Sequence, residues 1–235
     1  GVGRPDPAQE LVFGPNIADW PRQIALPENL LVTVASAIYD PVTTTVELIP
    51  SGETSSYRSN PEKLSDFALS RKDPEYVRRA KAVRAQEAER RQSPETFAIE
   101  GFDPRATGFG SAVMSIRPGD GSAREQAASC QKVLGGFANI CYEFATKRYR
   151  SNCINWGILP FTLDRDTAFD YQPGDCVFVP GIRKAIEEGR EDIPAQVICA
   201  DGSVHDLLLH VRGLTADEKE ILLDGCLMNY YAKRG

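Results

Sequence analysis

Pro118-Gly119-Asp120-Gly121-Ser122-Ala123-Arg124-Glu125 stands between an apolar run, Ala112-Val113-Met114, and a stretch of helix formers, Gln126 onward, that stops at Gly135-Gly136. The order is strand, glycine turn, helix. Ser122 with Glu125 three residues on has the spacing of a capping box, which starts the helix at the turn and aims its unpaired backbone N–H groups toward the two glycines. Such an end attracts anions. Arg124 falls in the first turn, where a cation opposes the helix dipole, so its presence points to an external anion. A Walker-type phosphate loop is a poor match, because no Gly-Lys-Ser/Thr closes the turn and the glycines stand too close together. A carboxylate ligand remains, against the competing reading of a tight turn with an ordinary serine cap.

Working outward, the first 29 residues carry Pro5, Pro7, Pro15, Pro21 and Pro27, which prevent a long helix and predict an extended arm. Leu30-Leu31-Val32-Thr33-Val34-Ala35-Ser36-Ala37-Ile38 is apolar and partly β-branched, a strand candidate. Asp73-Pro74-Glu75 supplies a cap, a proline at the first helical position and an acid, predicting a helix over 74–91. Its arginines alternate with Glu75, Glu87 and Glu89, so it reads as a solvated face and not a nucleic-acid surface. Residues 93–110 read as loop around Phe97-Ala98-Ile99. Downstream come a strand at 137–140, a helix over 142–152, a strand at 176–179 and a helix over 182–188. A hairpin follows around Asp201-Gly202, then a last helix announced by Thr215 and Glu218. His205 and His210 lie in the hairpin without a metal partner at useful spacing and read as structural. No repeated βαβ unit is legible, and the mixture predicts a layered α/β domain.

Composition agrees with a core-forming domain: 235 residues, 42% hydrophobic and 26% charged. The net charge of −6 argues against a general nucleic-acid binder. The six cysteines, Cys130, Cys141, Cys153, Cys176, Cys199 and Cys226, include no Cys-x-x-Cys pair, and they predict free buried thiols in a reducing cytoplasm. The chain opens without methionine, so it reads as part of something longer.

The Gly-x-Gly-Ser-x-Arg-Glu turn after a strand resembles the active-site loop in the C-terminal swivelling domain of the aconitase family. The resemblance continues in order through Gly135-Gly136, Phe144-Ala145, Asn152 and Gly157-Ile158-Leu159-Pro160, and upstream through Thr44-Thr45, Gly52 and Tyr57-Arg58. It spans roughly residues 44–230. It implies a three-layer swivelling β/β/α fold over residues 41–235, preceded by an arm or linker over 1–40. It also implies a hydratase that uses a [4Fe-4S] cluster and a serine base. On that basis Ser122 takes the base position, and Arg124 and Arg58 bind substrate carboxylates. The family's cluster cysteines are absent here, which implies a cluster held by other domains of the same protein, or by a large subunit, and none bound by this chain alone.

Three positions depart from the family. Ala123 replaces a second serine, Gln126 replaces a common histidine, and Val46-Glu47 replaces an Asp-His pair, leaving Glu47 as a possible acidic helper. A substrate other than citrate is implied: a related hydroxy di- or tricarboxylic acid. Two alternatives stay open. One is a stand-alone small subunit like that of isopropylmalate isomerase; the other is a non-catalytic relative that binds a metabolite or RNA.

Overall fold

A computed structural model describes residues 3, 4, 6–10, 12–97, 102–168 and 170–234. Its strands are β1 (Asn29–Ile38), β2 (Thr43–Thr44), β3 (Thr107–Ser115), β4 (Pro118–Asp120), β5 (Gly136–Cys141), β6 (Leu159–Thr162), β7 (Cys176–Val179), β8 (Asp192–Ile198) and β9 (Val204–His210). Its helices are α1 (Thr45–Leu48), α2 (Pro61–Ser65), α3 (Tyr76–Gln92), α4 (Arg124–Val133), α5 (Lys147–Asn155), α6 (Ile182–Glu188), α7 (Ala216–Asp224) and α8 (Leu227–Ala232).

Seven strands close into a barrel in the order β1-β3-β5-β6-β9-β8-β7, and β2 and β4 form a separate two-stranded pair. The strands β1, β3, β5 and β6 run parallel, whereas β9, β8 and β7 pair antiparallel, and β7 closes against β1. The two halves differ in pattern for a physical reason. All nine residues of β3 and all six of β5 are buried, because parallel strands are covered on both faces. In β8 buried and exposed residues alternate, since one face meets solvent.

Val32, Met114, Ile140 and Phe161 from the parallel half meet Val177, Val197 and Leu209 from the antiparallel half inside the barrel. A second core lies between the parallel half and its helices, where Val113 packs with Leu64, Ala80, Cys130, Tyr149 and Cys153. The chain thus carries β3–α4–β5 and β5–α5–β6 as successive crossovers. This corrects the expectation of no repeated βαβ unit: β5 and β6 are short, buried and without alternation, so periodicity does not mark them.

The predicted arm is shorter than residues 1–40, because Asn29–Ile38 is a barrel strand paired on both sides. Residues before it cross the surface of the domain, with Ala18 N donating to Ser59 O at 2.9 Å and Leu26 N to Leu223 O at 3.1 Å. The helix expected over 74–91 runs from Tyr76 to Gln92. Asp73 does not cap it, since its carboxylate is taken by Ser36 Oγ at 2.6 Å and by Arg79. The helix expected over 142–152 starts only at Lys147, behind a Thr146 cap. The hairpin around Gly202 is present in full register. Of the apolar piece Phe97-Ala98-Ile99, residues 98 and 99 lie outside the described residues. Among the described residues no helix is long and apolar enough to cross a membrane.

Candidate active site

The turn between β4 and α4 is held from two sides. β4 pairs in parallel with Thr43–Thr44, which brings the start of α1 against the turn. Gly119 has φ +96° and Gly121 φ +133°, conformations that favour glycine. Space requires glycine as well. A β-carbon on Gly119 would stand 2.2 Å from Tyr149 Cδ1, and one on Gly121 would stand 2.2 Å from Thr45 Oγ1. Thr146 joins the turn to α5: its hydroxyl donates to Gly119 O at 3.2 Å and accepts from Tyr149 N at 3.1 Å. Beneath, the buried Tyr149 hydroxyl accepts from Gln131 Nε2 at 3.0 Å and lies 3.5 Å from Asn139 Nδ2. Burial raises the Tyr149 phenol well above its ordinary value, so it stays a neutral member of this network.

The capping box expected of Ser122 and Glu125 does not form. α4 begins at Arg124, its cap position is Ala123, and no side chain caps it. Glu125 turns the other way and accepts the indole N–H of Trp156 at 3.0 Å. Ser122 is therefore exposed, and no partner takes its hydroxyl among the described residues. Arg124 folds back so that Nη1 donates to Gly121 O, which braces the turn.

Ser122, Arg124 and Glu125 line an open cleft of about 450 Å³ together with Lys147, Arg148, Ser151 and Asn152 of α5. Among the described residues, Arg124, Lys147 and Arg148 have no carboxylate within ion-pair distance, although the protein holds many surface ion pairs elsewhere. Lys147 and Arg148 open α5 as Arg124 opens α4, against the helix dipole in both cases. Positive charge without an ion-pair partner among the described residues thus lines the same cleft as the exposed serine. Lys147, Arg148 and Ser151 were missed in the sequence, although the argument that singled out Arg124, a cation in a first turn, applies to both basic residues. It needed the true start of α5 at Lys147.

Glu47 is not a free acid beside the serine. It closes the capping box of α1: Thr44 N donates to Oε2 at 2.7 Å, Thr44 Oγ1 lies at 2.8 Å, and Glu47 N donates back to Thr44 Oγ1 at 3.3 Å. Lys72 Nζ stands 3.4 Å from its other oxygen. The Thr44 N–H bond, with help from the Thr44 hydroxyl and Lys72, holds the Glu47 carboxyl below the usual glutamate range. The segment Thr45–Leu48 is a single helical turn that uses Glu47 in its cap. Arg58 sits exposed at the end of a 3₁₀ turn over Ser55–Tyr57 and does not line the cleft. The next element, α2, packs against α4.

His210 is buried with Nδ1 2.7 Å from Asp192 Oδ1 and Nε2 3.2 Å from Asp164 Oδ2, and exposed His205 is 3.2 Å from Ser203 Oγ. Among the described residues no three His, Cys, Asp or Glu stand together as a metal-binding set. All six cysteines are free. Burial raises the thiols of Cys130 and Cys141 and pushes that of Cys153 up to about 12, the opposite of what a thiolate ligand needs.

Comparison with known proteins draws attention to the same segment of the chain. The sequence pattern of the family described as Aconitase C-terminal domain matches residues 105–166, which include the turn, α4, β5, α5 and β6. Aconitate hydratase A of Bradyrhizobium diazoefficiens is 29% identical over 119 residues, covering 49% of this chain and 13% of that protein. The 3-isopropylmalate dehydratase small subunit of Metallosphaera sedula is 34% identical over 115 residues, covering 49% of this chain and 60% of that protein. The chain thus spans less than two thirds of either curated relative. The crystal structure of 3-isopropylmalate dehydratase from Methanocaldococcus jannaschii superposes with a TM-score of 0.53 at 22% identity, over 88% of this chain and 95% of that one, which is a likeness of fold. Residues 105–166, the segment that builds the serine turn and both helices of the cleft, are thus the part of the chain that is similar to the aconitase C-terminal domain family.

Proposed function

We propose that this chain is the swivel-type domain of a hydro-lyase that dehydrates and rehydrates a hydroxy di- or tricarboxylic acid. The layered β/β/α reading belongs to this proposal, with the two barrel halves and the helices outside the parallel half as its layers. The observation that carries it is Ser122, whose exposed hydroxyl shares a cleft with three cations that have no anionic partner among the described residues. Ser122 takes the proton α to a carboxylate, Arg124 binds that carboxylate, and the exposed Arg58 guanidinium is assigned to a substrate carboxylate from outside the cleft lining. A planar fork suits two carboxylate oxygens better than an ammonium does.

A serine hydroxyl is a weak acid, and in this reading its surroundings assist it. The end of α4 supplies at most about 2 kcal/mol, or roughly 1.5 pKa units. Arg124, Lys147 and Arg148 add positive charge around the hydroxyl, and excluding water when the open cleft is covered strengthens each of these interactions.

The resemblance also implies a [4Fe-4S] cluster supplied by another part of the complete enzyme. The described residues of this chain do not fit one, for the thiol and donor-set reasons given above. The steps assigned here run through Ser122 and its cations alone. The free thiols support a reducing cytoplasm as the working compartment.

A second reading, a small subunit working beside a separate cluster-bearing chain, is favoured by the overlap with most of the solved dehydratase chain and little of the long aconitate hydratase. Both readings are tested by assaying the chain with its cluster-bearing part, fused or separate, against a panel of hydroxy di- and tricarboxylates. Turnover that requires this chain supports the proposal. A folded chain that adds nothing to any substrate favours a binding protein instead.

A further inference from the structure

The cleft holds one carboxylate among its lining residues, Glu125, next to Arg124 in the chain and in the same lining as Lys147 and Arg148. A glutamate there is expected to pair with one of the three cations and to compete with any incoming carboxylate. It does not pair with them. Its Oε1 accepts the indole N–H of Trp156 at 3.0 Å, a neutral donor that holds the carboxylate without using a cation. Trp156 is the residue that ends α5, fixed by backbone bonds to Asn152 and Cys153 at 3.1 Å. Its ring also packs on Trp20 of the N-terminal arm, with centroids 4.4 Å apart and planes tilted by 39°.

We propose that Trp156 is a positioning residue for the anion site, one that ties Glu125 aside so that Arg124, Lys147 and Arg148 stay free for the ligand, with Trp20 setting the Trp156 ring. The inference rests on the cleft being a carboxylate site. Indole is suited to the task because it donates one bond and accepts none, so it holds the carboxylate in any protonation state of its surroundings. Phenylalanine in its place keeps most of the ring contact and deletes only the donor.

The test uses the full chain and malonate as probe, titrated by NMR or calorimetry at fixed ionic strength, with chloride as the control anion. Wild type, Trp156→Phe, Glu125→Gln and the double variant are compared. The inference predicts that Trp156→Phe weakens malonate binding roughly tenfold, the scale of one charge-assisted interaction of about 1.4 kcal/mol. It further predicts that adding Glu125→Gln to Trp156→Phe restores the affinity, which repair of a merely structural defect would not do. Near-ultraviolet circular dichroism of the indole pair reports whether Trp20 still packs at position 156. Binding unchanged in Trp156→Phe, or lost there and not restored in the double variant, overturns the inference while leaving the carboxylate site in place. Malonate binding no better than chloride to wild type overturns the carboxylate site and the inference with it.

Discussion

The ring of Tyr149 lies so close against Gly119 that a β-carbon on the glycine would stand 2.2 Å from Cδ1. Backbone freedom and space both demand glycine there, since φ is +96°. Gly119→Ala is expected to cost about 3 kcal/mol or more, from left-handed strain plus overpacking against a fixed ring. Gly174→Ala is the control: its φ is +107° but nothing lies within 4 Å of the added carbon, so about 1 to 2 kcal/mol of strain alone is expected. Urea unfolding of the two variants separates the terms.

The cap assignments separate two residues that look alike in sequence. Thr44→Ala removes a capping-box member and is expected to destabilise by about 1 kcal/mol. Ser122→Ala removes a hydroxyl that caps nothing and is expected to stay within about 0.5 kcal/mol of wild type. A loss of stability for Ser122→Ala equal to that of Thr44→Ala would show that the hydroxyl serves the fold.

The arm, the strands and the site were legible to different degrees. The glycine turn, the hairpin at Gly202 and the capping box at Thr215 were readable because each depends on local chemistry. The closed barrel was not, because β5 and β6 are buried on both faces and leave no alternating pattern. Ser122-Glu125 and Thr44-Glu47 have the same spacing, yet only the second forms a box. Trp156, 31 residues downstream of Glu125, decided the first, and no local pattern reports such a contact. Glu47 was read as a possible helper from the resemblance, because it stands where the family has an Asp-His pair, and the one-turn helix that uses it in its cap is too short to show periodicity.

Acid sensitivity follows from Glu47. Its folded pKa is lowered, so the stability it contributes is present above the ordinary glutamate value of about 4.3 and is lost as pH falls through the lower, folded value. Glu47→Gln is expected to flatten that part of the stability profile and leave the profile above pH 6 parallel to wild type. Thermal unfolding between pH 3 and 7 checks it.

Lys132 acts at the opposite end of the scale. It is 3% exposed, donates to Gly157 O at 3.1 Å and lies 4.0 Å from the centre of the Phe137 ring, with no carboxylate in ion-pair contact among the described residues. Burial lowers its pKa to about 8. The unfolded chain binds the proton more tightly, so this group makes stability rise with pH between about 8 and 10.4, by about 3 kcal/mol in all. The buried thiols act in the reverse sense, because their folded values are raised. The difference between wild type and Lys132→Met isolates the lysine: their stability gap is expected to shift in favour of wild type as pH rises from 8 to 10.

The central claim is that Ser122 is the base and not a structural residue. The most direct measurement is turnover by the complete enzyme with Ser122→Ala, at saturating substrate, beside the affinity of the same protein for that substrate. A loss of at least about a hundredfold in kcat is expected, within the range for removing a proton-transfer group, with affinity and stability kept. Unchanged kcat with the alanine in place would contradict it.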